Sequence, residues 1–551
     1  MSVGEDQGLP SPQGQGAPVA PGASARGAPA RRPRTAREAR AMRGPYGRLG
    51  QAVEELDERL GIARGLRVFL DKIFPDHWSF MLGEIALYSF IVLVATGIFL
   101  TLYYVPSVSK IIYHGPYAPL RGQSVTEAYA STVNLSFGVR AGLLMRQMHH
   151  WAADIFLGAI VIHMARIFFT GAFRRPRELN WTIGLTLLIL SLANGFIGYS
   201  LPDDLVSGTG IRIMFSILLS IPFVGSYLAF FLFGGNYPGT AIIPRMFIVH
   251  VLILPVIIAG LIGAHLFLLV RQKHTQFPGR GRTARNVVGS PMYPHFIAKT
   301  TGFLFMVAGV TAVLGATAQI NPIWQFGQYE PYKITYAVQP DWYMGWLDGA
   351  LRIMPSWEFA GWGHTIPFVV FLPAVVFPGL IFTLCFAWPA IERWYTKDYS
   401  SHQLLDRPRD RPKRTAAGAA MLALMMTLLG ASATDVLANF FNASLNTVLW
   451  TFRVLVFVDP IVVGLLTWRI CLEMQGAPGV GRRKRAVVIS RTPEGEYVST
   501  PAAVRPGDER PELEPVPVPA YITFEPSRVN GEGRTEASGR RGGVGVRRVP
   551  R

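Results

Sequence analysis

Cysteine is nearly absent. The 551 residues hold two, Cys385 and Cys471, each inside an apolar run, which excludes a disulfide framework and a metal site built on clustered thiolates. Charge is scarce as well: Asp, Glu, Lys and Arg together make up 16% of the chain, where soluble domains carry about a quarter. A Gly-rich phosphate loop between a strand and a helix is missing, so a nucleotide-binding domain is not expected. The first 45 residues are rich in Pro, Gly, Ala and Arg and have no apolar core. No cleavable leader is read there, and the first apolar span is expected to direct insertion.

What the chain does have is apolar length. Half of it is hydrophobic, and about 20 apolar residues suffice to cross roughly 30 Å of hydrocarbon. Eight such stretches are read, over residues 80–104, 144–170, 181–199, 245–270, 300–318, 366–388, 415–434 and 447–471. A net charge of +18 could point to nucleic acid, but the basic residues gather in the tails and in alternate loops. Loop 171–180 holds Arg174, Arg175 and Arg177, loop 271–299 has six Lys or Arg and no acid, and loop 389–414 has seven basic residues. Loop 319–365 instead has four acids against two bases, and 200–244 carries Asp203 and Asp204. This is the positive-inside bias of a membrane protein. It predicts that even-numbered spans end in the cytoplasm, that both tails lie there, and that nucleic acid is not a partner. An odd number of spans would break the alternation.

With eight spans assigned, the apolar segment 211–233, interrupted by Pro222 and Gly225, is expected to form a helical hairpin on the outer surface. Residues 56–74, with Leu60, Ile62, Leu66, Val68, Phe69, Ile73 and Phe74, read either as an amphipathic helix on the membrane surface or as a plain linker helix. The organisation is then a basic tail over 1–55, a surface helix and four-span unit over 56–299, a second four-span region over 300–475, and a basic tail over 476–551. The Pro- and Gly-rich tails are expected to be disordered or loosely docked.

Five of the eleven histidines fall in just two of the spans: His149, His150 and His163 in the second, His250 and His265 in the fourth. Polar groups inside a bilayer are costly and usually functional. His149 and His163 are 14 residues apart, just under four helical turns, so they share a face with about 21 Å between them. His250 and His265 are 15 apart and also share a face. Matched intervals imply two levels in the bilayer with one histidine from each helix at each level, and such a pair in a dry bundle core suits bis-histidine haem. The absence of C-x-x-C-H makes any haem non-covalent. His150 is rotated about 140° from His163 and reads as packed or interfacial.

Glycines repeat the interval, Gly83 with Gly97 in the first span and Gly184 with Gly198 in the third. Without a Cβ each lets a flat macrocycle approach the backbone, although glycines also serve as packing notches in membrane helices. Arg146 precedes His149 by three residues and Arg166 follows His163 by three, each on its histidine's face. Arg245 lies at the outer end of the fourth span. Guanidinium forks suit the carboxylates of haem propionates, and headgroup anchoring is an equal alternative for Arg245. The fold class expected is an all-α integral membrane protein of eight helices, the first four forming a bundle around two stacked haems b.

The motifs R-Q-M-H at 146–149, H-M-A-R at 163–166, R-M-F-I-V-H at 245–250, G-Y-S-L-P at 198–202 and S-G-T-G at 207–210 together resemble cytochrome b of quinol–cytochrome c reductases. P-D-W-Y at 340–343 is similar to that family's P-E-W-Y with Asp for Glu, and the unsplit eight-span chain with its long tails is similar to the actinobacterial form. The likeness runs from about residue 60 to 472. It implies that His149 and His250 ligate an outer, low-potential haem, and His163 and His265 an inner, high-potential one. It implies that quinol (menaquinol by resemblance) is oxidised near the outer haem, between P-D-W-Y and the 200–220 segment. One electron would pass to a Rieske iron–sulfur subunit and the other to an inner quinone, with protons released outside and taken up inside. A cytochrome c subunit, a homodimeric core and a terminal haem–copper oxidase are the further partners implied, in a bacterial cell membrane.

Asp341 then reads as proton acceptor, a carboxylate in a Pro- and Trp-flanked loop, against the plainer reading of a turn aspartate after Pro340. Tyr343 either hydrogen-bonds quinol or packs. At the inner quinone site the family's histidine is replaced by Val270, and in its Lys-Asp pair Lys299 is present with Thr300 in place of the aspartate. His274 is the candidate substitute. Two other classes fit the ladder, another di-haem transmembrane oxidoreductase and a cofactor-free transporter using its histidines as a proton relay.

Overall fold

The computed structural model describes residues 57, 59, 69–333, 339–361, 363–476, 487–491 and 497–501. It divides into two units, one through Cys471 and one from Leu472 onward. Among the described residues, eight helices are long and apolar enough to cross a membrane: α1 (Trp78–Thr101), α2 (Gly142–Thr170), α3 (Glu178–Ser200), α4 (Ile242–Gln272), α5 (Met292–Thr317), α6 (Phe368–Thr396), α7 (Pro412–Ala431) and α8 (Leu445–Met474). Each overlaps one of the eight stretches read from the sequence.

The helix boundaries have local causes. α2 ends at Gly171, in the left-handed region at φ 67, a conformation glycine adopts without a Cβ clash. α4 is continuous but widens to a π-turn over Val249–Ile253. Pro255 sits just beyond it; proline has no N–H to donate and its ring crowds the carbonyl four residues back, and a widened turn accommodates both.

α1 packs along α2 and α3 along α4, while α5 lies against both α1 and α2. That arrangement leaves α2 and α4 facing each other across the bundle. α6 packs on α3, and α7 on α2 and on the short helix Trp342–Ile353. The short helix comes close to α7 because a Cβ at Gly349 would collide with the Leu428 carbonyl.

The segment 211–233 does form a helical hairpin, with helices Leu205–Leu219 and Gly225–Phe233. Asp204 caps the first, accepting hydrogen bonds from Val206 N at 3.1 Å and Ser207 N at 3.4 Å. A further helix, Glu127–Gly138, starts at the Thr126 cap and buries Tyr129 and Val133 with Tyr113 and Ile323 in a small core of its own.

The described residues depart from expectation in two places. Within the proposed surface helix over 56–74, Asp57, Arg59, Phe69 and Leu70 are helical, Ile73–Phe74 form a strand paired with Ser290–Pro291, and most of the rest lies outside the described residues. Burial of Phe74, stacked on Phe296 with ring centres 4.3 Å apart, favours that pairing over a helix on the surface. In the second unit Val487–Arg491 and Tyr497–Pro501 form an antiparallel hairpin, an element not foreseen in a tail expected to be disordered or loosely docked. The rest of both tails lies outside the described residues.

Candidate functional site

The facing sides of α2 and α4 enclose a cavity of about 290 Å³ whose lining includes His149, His150 and Arg146 from α2, His250 from α4, Gly97 and Gly198 from α1 and α3, and Asp341 and Tyr343. The rings of His149 and His250 stand 6.2 Å apart, centre to centre. Their Nδ1 atoms are already engaged. Thr96 gives its hydroxyl proton to the Val92 carbonyl at 2.7 Å, so its oxygen receives Nδ1–H of His149 at 2.9 Å. His250 donates from Nδ1 to the Asn194 carbonyl at 3.0 Å. Both rings are thereby fixed as the tautomer with Nε2 unprotonated, the state a metal requires of imidazole.

These residues fit a haem. Two metal–nitrogen bonds of about 2 Å, with each ring centre ~1 Å behind its nitrogen, span roughly 6 Å, the separation observed. No group of three or more His, Cys, Asp or Glu able to hold a metal ion occurs among the described residues. Iron carried in a porphyrin needs only two ligands from the protein. Arg146 is buried, donates to the Asn321 carbonyl at 2.7 Å, and keeps Nη1 without a partner, so a cation stands ready for an anionic group such as a propionate. At the second level, Nδ1 of His163 and Nε and Nη2 of Arg166 are buried and unpartnered, and the Arg166 guanidinium lies 4.2 Å from the Phe80 ring centre.

The four glycines sort onto the two levels, but against the histidines themselves. A Cβ at Gly97 would lie 3.3 Å from His149 Cε1 and one at Gly198 would collide with the His250 ring; a Cβ at Gly83 would lie 3.1 Å from His163 Cε1 and one at Gly184 3.6 Å from His265 Cε1. Their missing side chains make room for the imidazoles, a ring-seating role that stands beside the expected approach of a macrocycle. Arg245 is not brought to the cavity. It is exposed and donates to the carbonyls of Phe231 and Leu232, where a cation meets the negative end of the Gly225–Phe233 helix.

Asp341 is the N-cap of helix Trp342–Ile353 by position but makes no side-chain cap hydrogen bond, forgoing about 1 kcal/mol that a capping Asp usually contributes. Its carboxylate turns instead to His150, whose Nε2 is 3.0 Å from both oxygens, and to the Tyr343 hydroxyl, which donates to Oδ2 at 2.9 Å. The side chain is thus not used by the local turn, although the backbone carbonyl accepts from Met344 N at 2.9 Å. Sequence reasoning set His150 aside because it is off the ladder's face, and that same rotation aims it at Asp341. α2 is also tied to the chain leading into this turn, as Gln147 and Trp151 donate to the carbonyls of Ile320 at 2.8 Å and Ala318 at 2.7 Å.

At the opposite end of the bundle, Lys299 is exposed and ion-paired with Asp76 at 2.9 Å. His274 is buried between Phe74 and Phe80; burial, with Lys72, Arg177 and Arg166 nearby, pushes its imidazole down to about 3, so it is neutral. Thr300, standing where the family carries an aspartate, donates to Glu84 of α1 at 2.8 Å. A carboxylate from another helix thus reaches the position the sequence left without one.

A family model described as cytochrome b (N-terminal)/b6/petB matches residues 154–328. The chain is 50% identical over 444 residues to the cytochrome bc1 complex cytochrome b subunit of Streptomyces coelicolor, covering 80% of this chain and 81% of that one. It is 46% identical to the Mycobacterium leprae subunit of the same name (88% and 87% covered) and 45% identical to that of Corynebacterium diphtheriae (90% and 91%). A solved structure titled hyperthermophilic respiratory Complex III shares the fold, with a TM-score of 0.56 at 21% identity, over 76% of this chain and 98% of that one. This multi-pass membrane chain belongs to the cytochrome b family of bc1 complexes, the haem-b subunits of respiratory quinol–cytochrome c oxidoreductases.

Proposed function

We propose that this chain oxidises quinol, menaquinol in kind, in the cavity between α2, α4 and the Pro340–Tyr343 turn, and carries two non-covalent haems b. His149 with His250 would hold the outer haem and His163 with His265 the inner one, while Arg146 and Arg166 would face the propionates. Bound there, the haems supply one-electron carriage from the outer cavity toward the inner face. The observation that carries this reading is that His149, His250, Asp341 and Tyr343 line one cavity.

Oxidation of a quinol releases two protons and two electrons. Asp341 is a carboxylate at the cavity able to accept a hydroxyl proton; Tyr343 donates to Oδ2, while Oδ1 has His150 Nε2 beside it and is the oxygen nearer to being open for substrate. One electron passes to a Rieske iron–sulfur partner and the other serves reduction of a quinone near the inner face. There Lys299 would supply a cation and neutral His274 a hydrogen-bonding ring. A cytochrome c subunit, a second copy of the chain and a terminal haem–copper oxidase complete the assembly proposed, with both termini in the cytoplasm. The charge alternation of the loops supports that orientation.

The test is a redox-titrated visible spectrum of the purified complex as wild type, His149→Leu and His163→Leu. Two b-type components are expected, each substitution removing a different one. A wild type without haem b, or a His149→Leu variant that keeps both components, would overturn the assignment. Asp341→Asn is expected to keep both components and lower quinol turnover by about 10²-fold or more.

A further inference from the structure

His150 is half-buried, lines the cavity, and is not needed by the ladder. Its Nε2 stands 3.0 Å from each oxygen of Asp341. Building on the quinol reading, we infer that His150 is a positioning residue for Asp341: it holds the carboxylate in a fixed orientation beside the outer histidine pair.

Three observations carry this. First, Asp341 is free of the bond that usually occupies an aspartate at a helix start, and its carboxylate is held instead by His150 and Tyr343. Second, aspartate has one methylene fewer than glutamate, which restricts the positions its carboxylate can reach; a partner on α2 defines which of them is held. Third, His150 follows His149 directly, and successive helical residues point about 100° apart. One step along α2 therefore sends the first ring across to His250 and the second to Asp341. The proton-accepting carboxylate and the outer histidine pair are registered to each other by a single rigid helix, which is anchored at this end by the bonds from Arg146, Gln147 and Trp151 to the segment 318–321. Asp154, one turn farther along α2 and beside the Trp342 indole, is the other carboxyl group facing His150 on that helix.

The experiment compares His150→Leu, His150→Gln, Asp341→Asn and the double variant His150→Leu/Asp341→Asn, each in the intact complex. It measures the redox difference spectrum together with kcat and KM for a soluble quinol. His150→Leu is expected to keep both b-type components and lower kcat by roughly 10- to 100-fold, with KM changed less than about twofold. His150→Gln, which restores an N–H at similar reach, recovers most of the loss, and the double variant is no slower than Asp341→Asn alone. If Asp341→Asn is slow and His150→Leu turns over like wild type, the inference falls and the quinol reading stands. Loss of a haem component in His150→Leu, or additive losses in the double variant, also sinks the inference, since His150 would then act elsewhere than through Asp341. Full turnover by Asp341→Asn removes the reading beneath it.

Discussion

A Cβ is the smallest perturbation that separates the four ladder glycines, and their surroundings rank them. At Gly198 the added methyl would meet His250 Nε2 at 2.9 Å and Nδ1 at 3.0 Å, whereas at Gly184 it would make ordinary contact with His265 Cε1 at 3.6 Å. Gly198→Ala is therefore expected to lose most of the outer haem signal in a difference spectrum, Gly83→Ala and Gly97→Ala part of theirs, and Gly184→Ala almost none. Equal losses at Gly184 and Gly198 would contradict the ring-seating role. Asp203 gives a residue-level prediction of another kind. Burial pushes its carboxyl up to about 6, with the Thr126 hydroxyl opposing. A raised carboxyl favours the fold fully below its unfolded value near 4, and that contribution is lost as pH rises through about 6. Asp203→Asn keeps an acceptor for Thr126 and cannot ionise. Its thermal midpoint should match wild type below pH 4 and exceed it above 6, by up to about 3 kcal/mol of stability; coincident curves at pH 8 would refute this. The ladder was legible because helical periodicity alone fixes which residues share a face. The His150–Asp341 bond was not, because the partners are 191 residues apart and nothing in periodicity says which loop meets the off-ladder face.

At the level of elements, the unequal histidine intervals find a physical cause. A π-turn takes one more residue per turn than the α-helix, and His250 lies in the π-turn Val249–Ile253. Fifteen residues of α4 thus cover about the rotation of fourteen in α2. Pro255 was the available signal, since proline crowds the preceding turn, but it predicts a kink as readily as a widened turn. Helices Glu127–Gly138 and Trp342–Ile353 were missed for a different reason: each is 12 residues long, too short for a spanning pattern. The joint between α2, α6 and α7 rests on Arg414, fully buried and paired with Glu392 at 2.7 Å and Asp406 at 2.8 Å, where Arg174 and Arg411 also converge on Asp406. Burial alone would raise the Asp406 carboxyl, but Arg174 and Arg414 outweigh it and hold it below the usual range. Removing one member of such a cluster leaves a buried charge unpaired. Arg414→Leu should cost about 3–5 kcal/mol, read as a fall in the thermal midpoint of the solubilised complex. A midpoint within a degree of wild type would mean the cluster is dispensable.

For the whole molecule, the orientation proposed in the bilayer rests on charge that no single helix carries. The loops closing even-numbered spans are basic: 271–299 carries six Lys or Arg and no acid. Part of that charge is exposed, as at Arg280 and Arg285. The joint at the end of α2 shows that some of it is structural, since Arg174, Arg177 and Arg414 are buried in hydrogen bonds and ion pairs. Orientation and packing thus draw on the same residues, so neutralising the buried ones would confound topology with folding. Neutralising exposed ones would not. Fusions make the test directly. A fluorescent protein that matures only in the cytoplasm should be bright at the C-terminus, and an alkaline phosphatase that matures only outside should be inactive there. The same phosphatase inserted at Gly235, in the partly exposed stretch between the hairpin and α4, should be active. With Arg280 and Arg285 both changed to Gln, the bias of one loop weakens, but the remaining basic loops keep the same sign, and the pattern of reporter activity should persist. Active phosphatase at the C-terminus, or silence at Gly235, would invert the assignment and with it the outer position of the His149–His250 cavity.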